Sequence, residues 1–322
     1  MRESHSKTCL VFLTFCALIS SGCTPVCVPF TPHIAYSPNI CSIKLLPEGF
    51  PDLDEREIFT AWGKELLIGQ GFLKENDLYR AITALKRAKF LIPANKKLRR
   101  QQIDYTILLA YYVGTKYGDA ICTYEESPLV DATPESFPPY DELLIILYDS
   151  YVKIGNCEKA EIILNGIKAR NLDTGLSLEL YEALSEGNIE SSSVLAEEYS
   201  EGEPILDYLN DYRCHEKSVC KARTLNALLP GAGYYYVGQK NTAVTSFLIN
   251  ALFIAAAYSF FDHGNIAAGL ITASFETGWY FGGINGAGLA AQEYNQRLYE
   301  VNTKEVLFQN RLFPVFHFTK SF

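Results

Sequence analysis

Two polar side chains stand inside otherwise apolar sequence near the C-terminus, and they offer the most chemistry. Asn250 lies within Ala243 to Phe261, nineteen residues without a charge, and Glu276 lies midway along a second apolar stretch. Either group buried alone in hydrocarbon is costly. A protonated Glu276 donating to Asn250 satisfies both, as interhelical glue or as a proton- or ligand-coupled site. Cys214, His215 and Cys220 gather two sulfurs and an imidazole, but zinc takes four ligands in paired spacing and no second pair follows, so no metal is expected. Gly231, Gly233 and Gly238 do not form a dinucleotide loop. That fingerprint has its third glycine three residues after the second; here the gap is five, and Pro230 breaks the preceding element. Pro230, Gly231, Gly233 and Gly238 read instead as a tight turn. No Gly-x-Ser-x-Gly elbow or His-Glu-x-x-His pair occurs, and the carboxylates from Glu182 to Glu203 are scattered. No catalytic residue or cofactor is expected, and the chain reads as a non-enzyme.

The elements that carry these residues are helices. Gly278, Gly282 and Gly286, continued by Ala290, recur at every fourth position and so share one helix face. An isolated helix loses about 1 kcal/mol per glycine relative to alanine, so something is expected to pack closely there. With the turn Asp262-His263-Gly264-Asn265 between the two apolar stretches, residues 213–300 read as a tight helical hairpin in or on a membrane. The ladder also offers a face for a second copy. Tyr234, Tyr235 and Tyr236 are placed for the headgroup level. A two-span hairpin leaves Lys217, Lys221, Arg223, Lys240 and Arg297 on one side and a tip without lysine or arginine on the other. If the chain ahead is exported, this opposes the positive-inside rule. The reverse orientation keeps that part in the cytoplasm, and a third solution lays the apolar helices in the interface or under the rest of the chain.

The first residues bear on that choice. Arg2 and Lys7 precede Cys9 to Ile19, an apolar run of eleven residues, too short to span a bilayer and right for a secretory signal over residues 1–22. Ser20-Ser21-Gly22-Cys23 resembles the lipobox of bacterial lipoproteins, which implies acylation of Cys23; Ser20 departs from the aliphatic residue usual there. Cleavage by an ordinary signal peptidase and an uncleaved anchor are the alternatives. Removing Cys9, Cys16 and Cys23 leaves six cysteines, of which Cys27 with Cys41 and Cys214 with Cys220 are plausible local disulfides in an oxidising compartment. Pro25, Pro29, Pro32, Pro38, Pro47 and Pro51 make residues 23–51 an extended tether.

Residues 52–212 carry a helical pattern with a period. Ile68, Gly69, Phe72, Ala81, Leu85, Ala88 and Pro93 stand at the offsets of a tetratricopeptide repeat; Ile107, Leu108, Tyr111, Ala120 and Tyr124 form a degenerate second copy, and Leu147, Tyr148, Tyr151, Ala160, Leu164 and Ile167 a third. The crossing positions are Gly69, Ala81, Ala88, Ala120 and Ala160. Residues 176–212 leave room for one more pair. The resemblance to tetratricopeptide-repeat proteins implies a stack of helix pairs whose concave face binds a protein partner without catalysis. A generic helical bundle is the alternative.

A second resemblance covers about 75 residues. Leu228-Leu229-Pro230-Gly231-Ala232-Gly233, Tyr236, Gly238, Asn250, Tyr280, Gly282, Asn285, Gly288, Tyr294, Asn295 and Arg297 resemble a hydrophobic hairpin module found behind tetratricopeptide repeats in bacterial envelope proteins of unassigned biochemistry. It implies architecture and no chemistry. A net charge of −9 argues against nucleic acid, and the basic run Lys96, Lys97, Arg99, Arg100 reads as a solvated face. In the tail, 301–322, Phe316, Phe318 and Phe322 alternate like a strand and read as a weak docking element. The whole chain reads as all-α: a repeat solenoid followed by a membrane-associated hairpin. The expected function is an envelope scaffold, anchored to a membrane with its repeats periplasmic; the alternative is an oligomeric transport or channel component.

Overall fold

The computed structural model describes residues 30–34 and 36–322; the expected signal segment, Cys23 and Cys27 lie outside the described residues. The fold is all-helical, with no strand among the described residues. The chain divides into two units. One comprises His33–Leu209 with Asn302–Phe322, the other Asn210–Val301 with residues 30–32.

The first unit opens with two short helices, α1 (Ile40–Ile43) and α2 (Glu55–Phe59). Four helix pairs follow: α3 (Ala61–Lys74) with α4 (Leu78–Leu91), α5 (Lys97–Val113) with α6 (Tyr117–Glu125), α7 (Tyr140–Lys153) with α8 (Cys157–Arg170), and α9 (Leu172–Glu186) with α10 (Ile189–Glu198). One turn geometry joins all four. Asn76, Thr115, Gly155 and Gly187 each take a positive φ, and the next residue donates its N–H to a carbonyl five residues back: Asp77 to Phe72, Lys116 to Tyr111, Asn156 to Tyr151, Asn188 to Ala183. This six-to-one closure satisfies carbonyls that a helix end leaves bare. The side chains of Asp77, Asn156 and Asn188 then cap the following helix, accepting from Arg80, Lys159 and Ser191. The fourth pair was unmarked in the sequence except as space. At the crossings Gly69, Ala81, Ala88, Ala120 and Ala160 are all buried. A Cβ on Gly69 would lie 2.6 Å from Leu85 Cγ, so only glycine lets α3 and α4 meet there.

Three expectations are corrected in this unit. The proline-rich stretch is no spacer over residues 36–51: Ile40, Ile43 and Phe50 are buried in the core. Arg99 staples it down, with Nη1 and Nη2 donating to the carbonyls of Pro51 and Asp52, each at 2.6 Å, and Nε to Glu57 at 3.1 Å. Arg99, only 8% exposed, is therefore no part of a solvated face. The tail is built in as well, with Phe318 and Phe322 buried. One oxygen of buried Glu142 accepts from the Thr319 N–H at 2.9 Å, the Thr319 hydroxyl at 2.7 Å and the Lys320 N–H at 2.9 Å. Ser321 donates to the Pro47 carbonyl and accepts from the Gly49 N–H. Phe316, Phe318 and Phe322 thus close the core rather than offer a free docking strand.

Across the unit boundary run α11 (Glu203–His215) and the long α15 (Ile266–Gln309). In the second unit, α12 (Val219–Leu228), α13 (Ala232–Val237) and α14 (Lys240–Asp262) precede a turn at Gly264 that leads into α15. This is the hairpin that the apolar stretches and their turn residues foretold.

Candidate functional site

The base of the hairpin is a knot of glycines, amides and aromatic rings. Gly231 adopts φ 90°, and a Cβ there would lie 2.3 Å from the Ala243 carbonyl, so the turn before α13 requires glycine twice over. The buried Asn226 side chain accepts from the Gly231 N–H at 2.9 Å. Gly233 sits against Ala222, Asn226 and Ala287. Gly238, at φ 94°, closes α13 in the same way as the turns within the four helix pairs of the first unit. From α15, Asn295 accepts the Lys217 N–H at 2.7 Å and donates to the Lys217 carbonyl at 2.9 Å. Tyr280 donates its hydroxyl to the Ala227 carbonyl, and Arg223 to Asn285. The Lys217 and Lys221 ammonium groups lie 5.4 and 5.0 Å from the Tyr236 ring centroid, and Lys217 also 5.6 Å from Tyr294. The motif residues are thus accounted for by folding, and the cations by ring faces.

The glycine ladder divides. A Cβ on Gly286 would meet the Tyr234 hydroxyl at 2.2 Å, and Ala290 is buried, so the lower rungs admit α13. Gly278 and Gly282 have no atom within 4 Å of an added Cβ. The expected tight packing therefore fails for the upper rungs. The buried face of α14 is narrow, comprising Ala243, Ser246, Asn250 and Ala257. Beside it opens a cavity of about 770 Å³, lined by Thr242, Thr245 and Ser246 from α14 and by Phe275, Gly278 and Gly282 from α15.

The expected pairing of Asn250 with Glu276 is also corrected. Asn250 Nδ2 donates to the Ser246 carbonyl of its own helix at 2.6 Å, leaving Oδ1 without a partner. Both carboxylate oxygens of Glu276 are likewise unpartnered. Asn250 has turned back on its own backbone, as short polar side chains in helices do. Cys214 and Cys220 are free thiols rather than a disulfide. They end α11 and begin α12, and Asn295 fixes the link between them through Lys217. His215 Nδ1 faces the Asp211 carbonyl at 2.9 Å, and among the described residues no three side chains converge as metal ligands.

The first unit holds polar groups that no local spacing marked. Ser177 Oγ and His317 Nε2 lie 2.8 Å apart, a nucleophile–base distance, but the Ser177 side chain is fully buried. Burial, with the Arg311 charge behind it, pushes the His317 pKa down to about 4. Tyr112 donates to Asp149 at 2.6 Å, and burial pushes that carboxyl up. A shallow recess of about 310 Å³ is lined by Tyr148, Glu161, Glu179, Glu182 and Glu186. No protein-family model matches the chain, and no curated protein or solved structure does either.

Proposed function

We propose that this chain is a non-enzymatic scaffold of the bacterial cell envelope, held to a membrane by its apolar hairpin and by lipid on Cys23. Its repeat unit binds a partner protein. The observation that carries the reading is the apolar surface of the hairpin. α14 is 23 residues long, and only 11% of its most apolar window is buried. About 20 such residues span a hydrocarbon core of roughly 30 Å. Leu252, Ile254, Tyr258, Phe275 and Trp279 are all half exposed or more. A continuous apolar face of this kind marks a membrane or partner contact, and a bilayer covers both helices at once.

Support for the repeat reading comes from the four helix pairs with one turn geometry and small crossing residues. Such a stack presents a continuous groove to a peptide or protein. The test is fractionation of cells expressing the full chain and a Cys23→Ser variant, with metabolic fatty-acid labelling. Label in the membrane fraction that disappears in the variant supports anchoring at Cys23. A soluble, unlabelled full-length chain ends the reading.

The transport alternative is favoured by one observation, the unpartnered polar atoms of Asn250 and Glu276. Glu276→Gln separates the two. A scaffold keeps its partner, whereas an ion-coupled pore loses conductance in reconstituted vesicles.

A further inference from the structure

The base of the hairpin gathers charge of one sign. From Lys217 to Phe261 the chain holds four cations, Lys217, Lys221, Arg223 and Lys240, and no aspartate or glutamate, within a sequence whose net charge is −9. The ammonium groups of Lys217 and Lys221 both stand over Tyr236, at 5.4 and 5.0 Å from its ring centroid. Among the described residues neither forms an ion pair with a carboxylate. An ammonium over a ring face keeps its full charge, and its N–H groups on the side away from the ring stay open to an anion.

Tyr236 is also one wall of an apolar groove. About 710 Å³ in volume, the groove is lined by Leu225 and Leu229 at the end of α12, by Tyr235 and Tyr236 on α13, and by Phe247 and Leu248 on α14; no lining residue is charged. The volume falls within the roughly 300–1,000 Å³ of small-molecule sites. Leu229, Tyr235, Phe247 and Leu248 are 48–66% exposed. Phe247 and Leu248 stand two turns into α14, on the one described helix long and apolar enough to cross a membrane. The lining is therefore graded, from two ammonium groups at Tyr236, through the tyrosines, to leucine and phenylalanine side chains toward the hairpin tip. A phospholipid with an anionic headgroup carries its groups in the same order: phosphate, ester oxygens, hydrocarbon. Free phosphate gains nothing from Leu229, Phe247 and Leu248, and an acidic protein segment would have to enter the hydrocarbon beside α14 with its backbone unsatisfied.

We propose that this groove holds one anionic phospholipid, its phosphate against Lys217 and Lys221 and one acyl chain along Phe247 and Leu248. This rests on the reading of the hairpin as membrane-associated. The cations at the hairpin base then select the lipid that surrounds it.

The test is native mass spectrometry of the full protein in a neutral detergent, with phosphatidylglycerol and phosphatidylcholine of identical acyl chains offered together. One retained phosphatidylglycerol per chain is expected. A lysine at an anionic lipid surface contributes about fivefold in binding, so two should give a preference over phosphatidylcholine on the order of tenfold or more. Lys217→Gln combined with Lys221→Gln is expected to remove that preference, and Lys217→Arg combined with Lys221→Arg to keep it. The wild-type comparison decides even where the glutamine pair fails to fold. Equal retention of the two lipids overturns the proposal, as does a preference that survives in a folded glutamine variant or a lipid-free dimer, which would give the groove to a second copy. A chain that stays in the membrane fraction of cells but retains no lipid overturns the groove alone, whereas a chain found in the soluble fraction overturns the membrane reading beneath it.

Discussion

Glu142 shows how much of the first unit rests on single buried groups. One carboxylate oxygen receives three donors from Thr319 and Lys320 and so closes the C-terminal tail onto α7. Hydrogen bonds to a charged group contribute about 1.5–3 kcal/mol each when taken singly, and less than their sum when shared by one oxygen. Glu142→Ala is expected to lower unfolding stability by about 3 kcal/mol. Its tail should also become cleavable by carboxypeptidase before global unfolding, and a variant with wild-type urea midpoint and protected tail sinks the assignment. His317, on the same tail, supplies a pH dependence. Its folded pKa is about 4 against 6.5 for an unperturbed histidine, so between these values the unfolded chain binds the extra proton. Stability is full above about pH 6.5 and falls as the pH drops toward about 4. Urea midpoints of wild type and His317→Gln across this window check it: the variant should show a shallower decline, and parallel curves argue that another group titrates.

Helices in both units end on the same left-handed closure, which makes substitution there a test of the elements. Gly155 and Gly187 have φ values of 75° and 76° in turns where Asn76 and Thr115 do the same work at 63° and 56°. Alanine at either glycine is expected to cost about 1 kcal/mol, and Thr115→Gly to return a similar amount, read from thermal unfolding. The glycine ladder gives a sharper contrast. At Gly282 an added Cβ meets no atom within 4 Å, so Gly282→Leu is expected to be accommodated, whereas at Gly286 the Cβ itself drives into the Tyr234 hydroxyl and Gly286→Leu should displace α13. Loss of helicity and protease resistance only in the second variant is the expected result; equal damage from both means the upper rungs are packed. Here the reach of sequence reasoning is visible. Spacing of four placed Gly278, Gly282 and Gly286 on one face, and Gly155-Asn156 marked a turn, because both are properties of the local chain. The neighbour of that face was not local. Nor were the partners of Arg99, Glu142 and the tail phenylalanines, which lie tens of residues or more away in sequence. Basic and proline-rich segments looked solvent-bound because their composition carries no trace of the carbonyls of Pro51 and Asp52 that Arg99 reaches.

At the scale of the whole molecule the open question is sidedness. α15 has 44 residues, about 66 Å at 1.5 Å per residue, roughly twice the hydrocarbon core. Among the described residues only α14 is long and apolar enough to cross a membrane; in the proposed hairpin, α15 would return the chain to the side that α14 entered. Lys217, Lys221, Arg223 and Arg297 share that side, and as bare charges they would favour the cytoplasm. Lys217 and Lys221 lie over aromatic rings and Arg223 donates to Asn285, contacts that give these cations a folding role in the hairpin base and leave their charge in place. Export with the base outside, which the proposed lipid on Cys23 requires, therefore stands against the charge rule and needs a direct measurement. The native cysteines can report it, since Cys41, Cys122, Cys157, Cys214 and Cys220 are all exposed free thiols. A membrane-impermeant maleimide applied to intact spheroplasts should label them without detergent. A His263→Cys variant at the hairpin tip completes the measurement: in a spanning hairpin its thiol is reached only from inverted vesicles. Labelling of the tip from the same side as the native thiols would mean helices lying in the interface, and protection of the native thiols in spheroplasts would put the first unit in the cytoplasm.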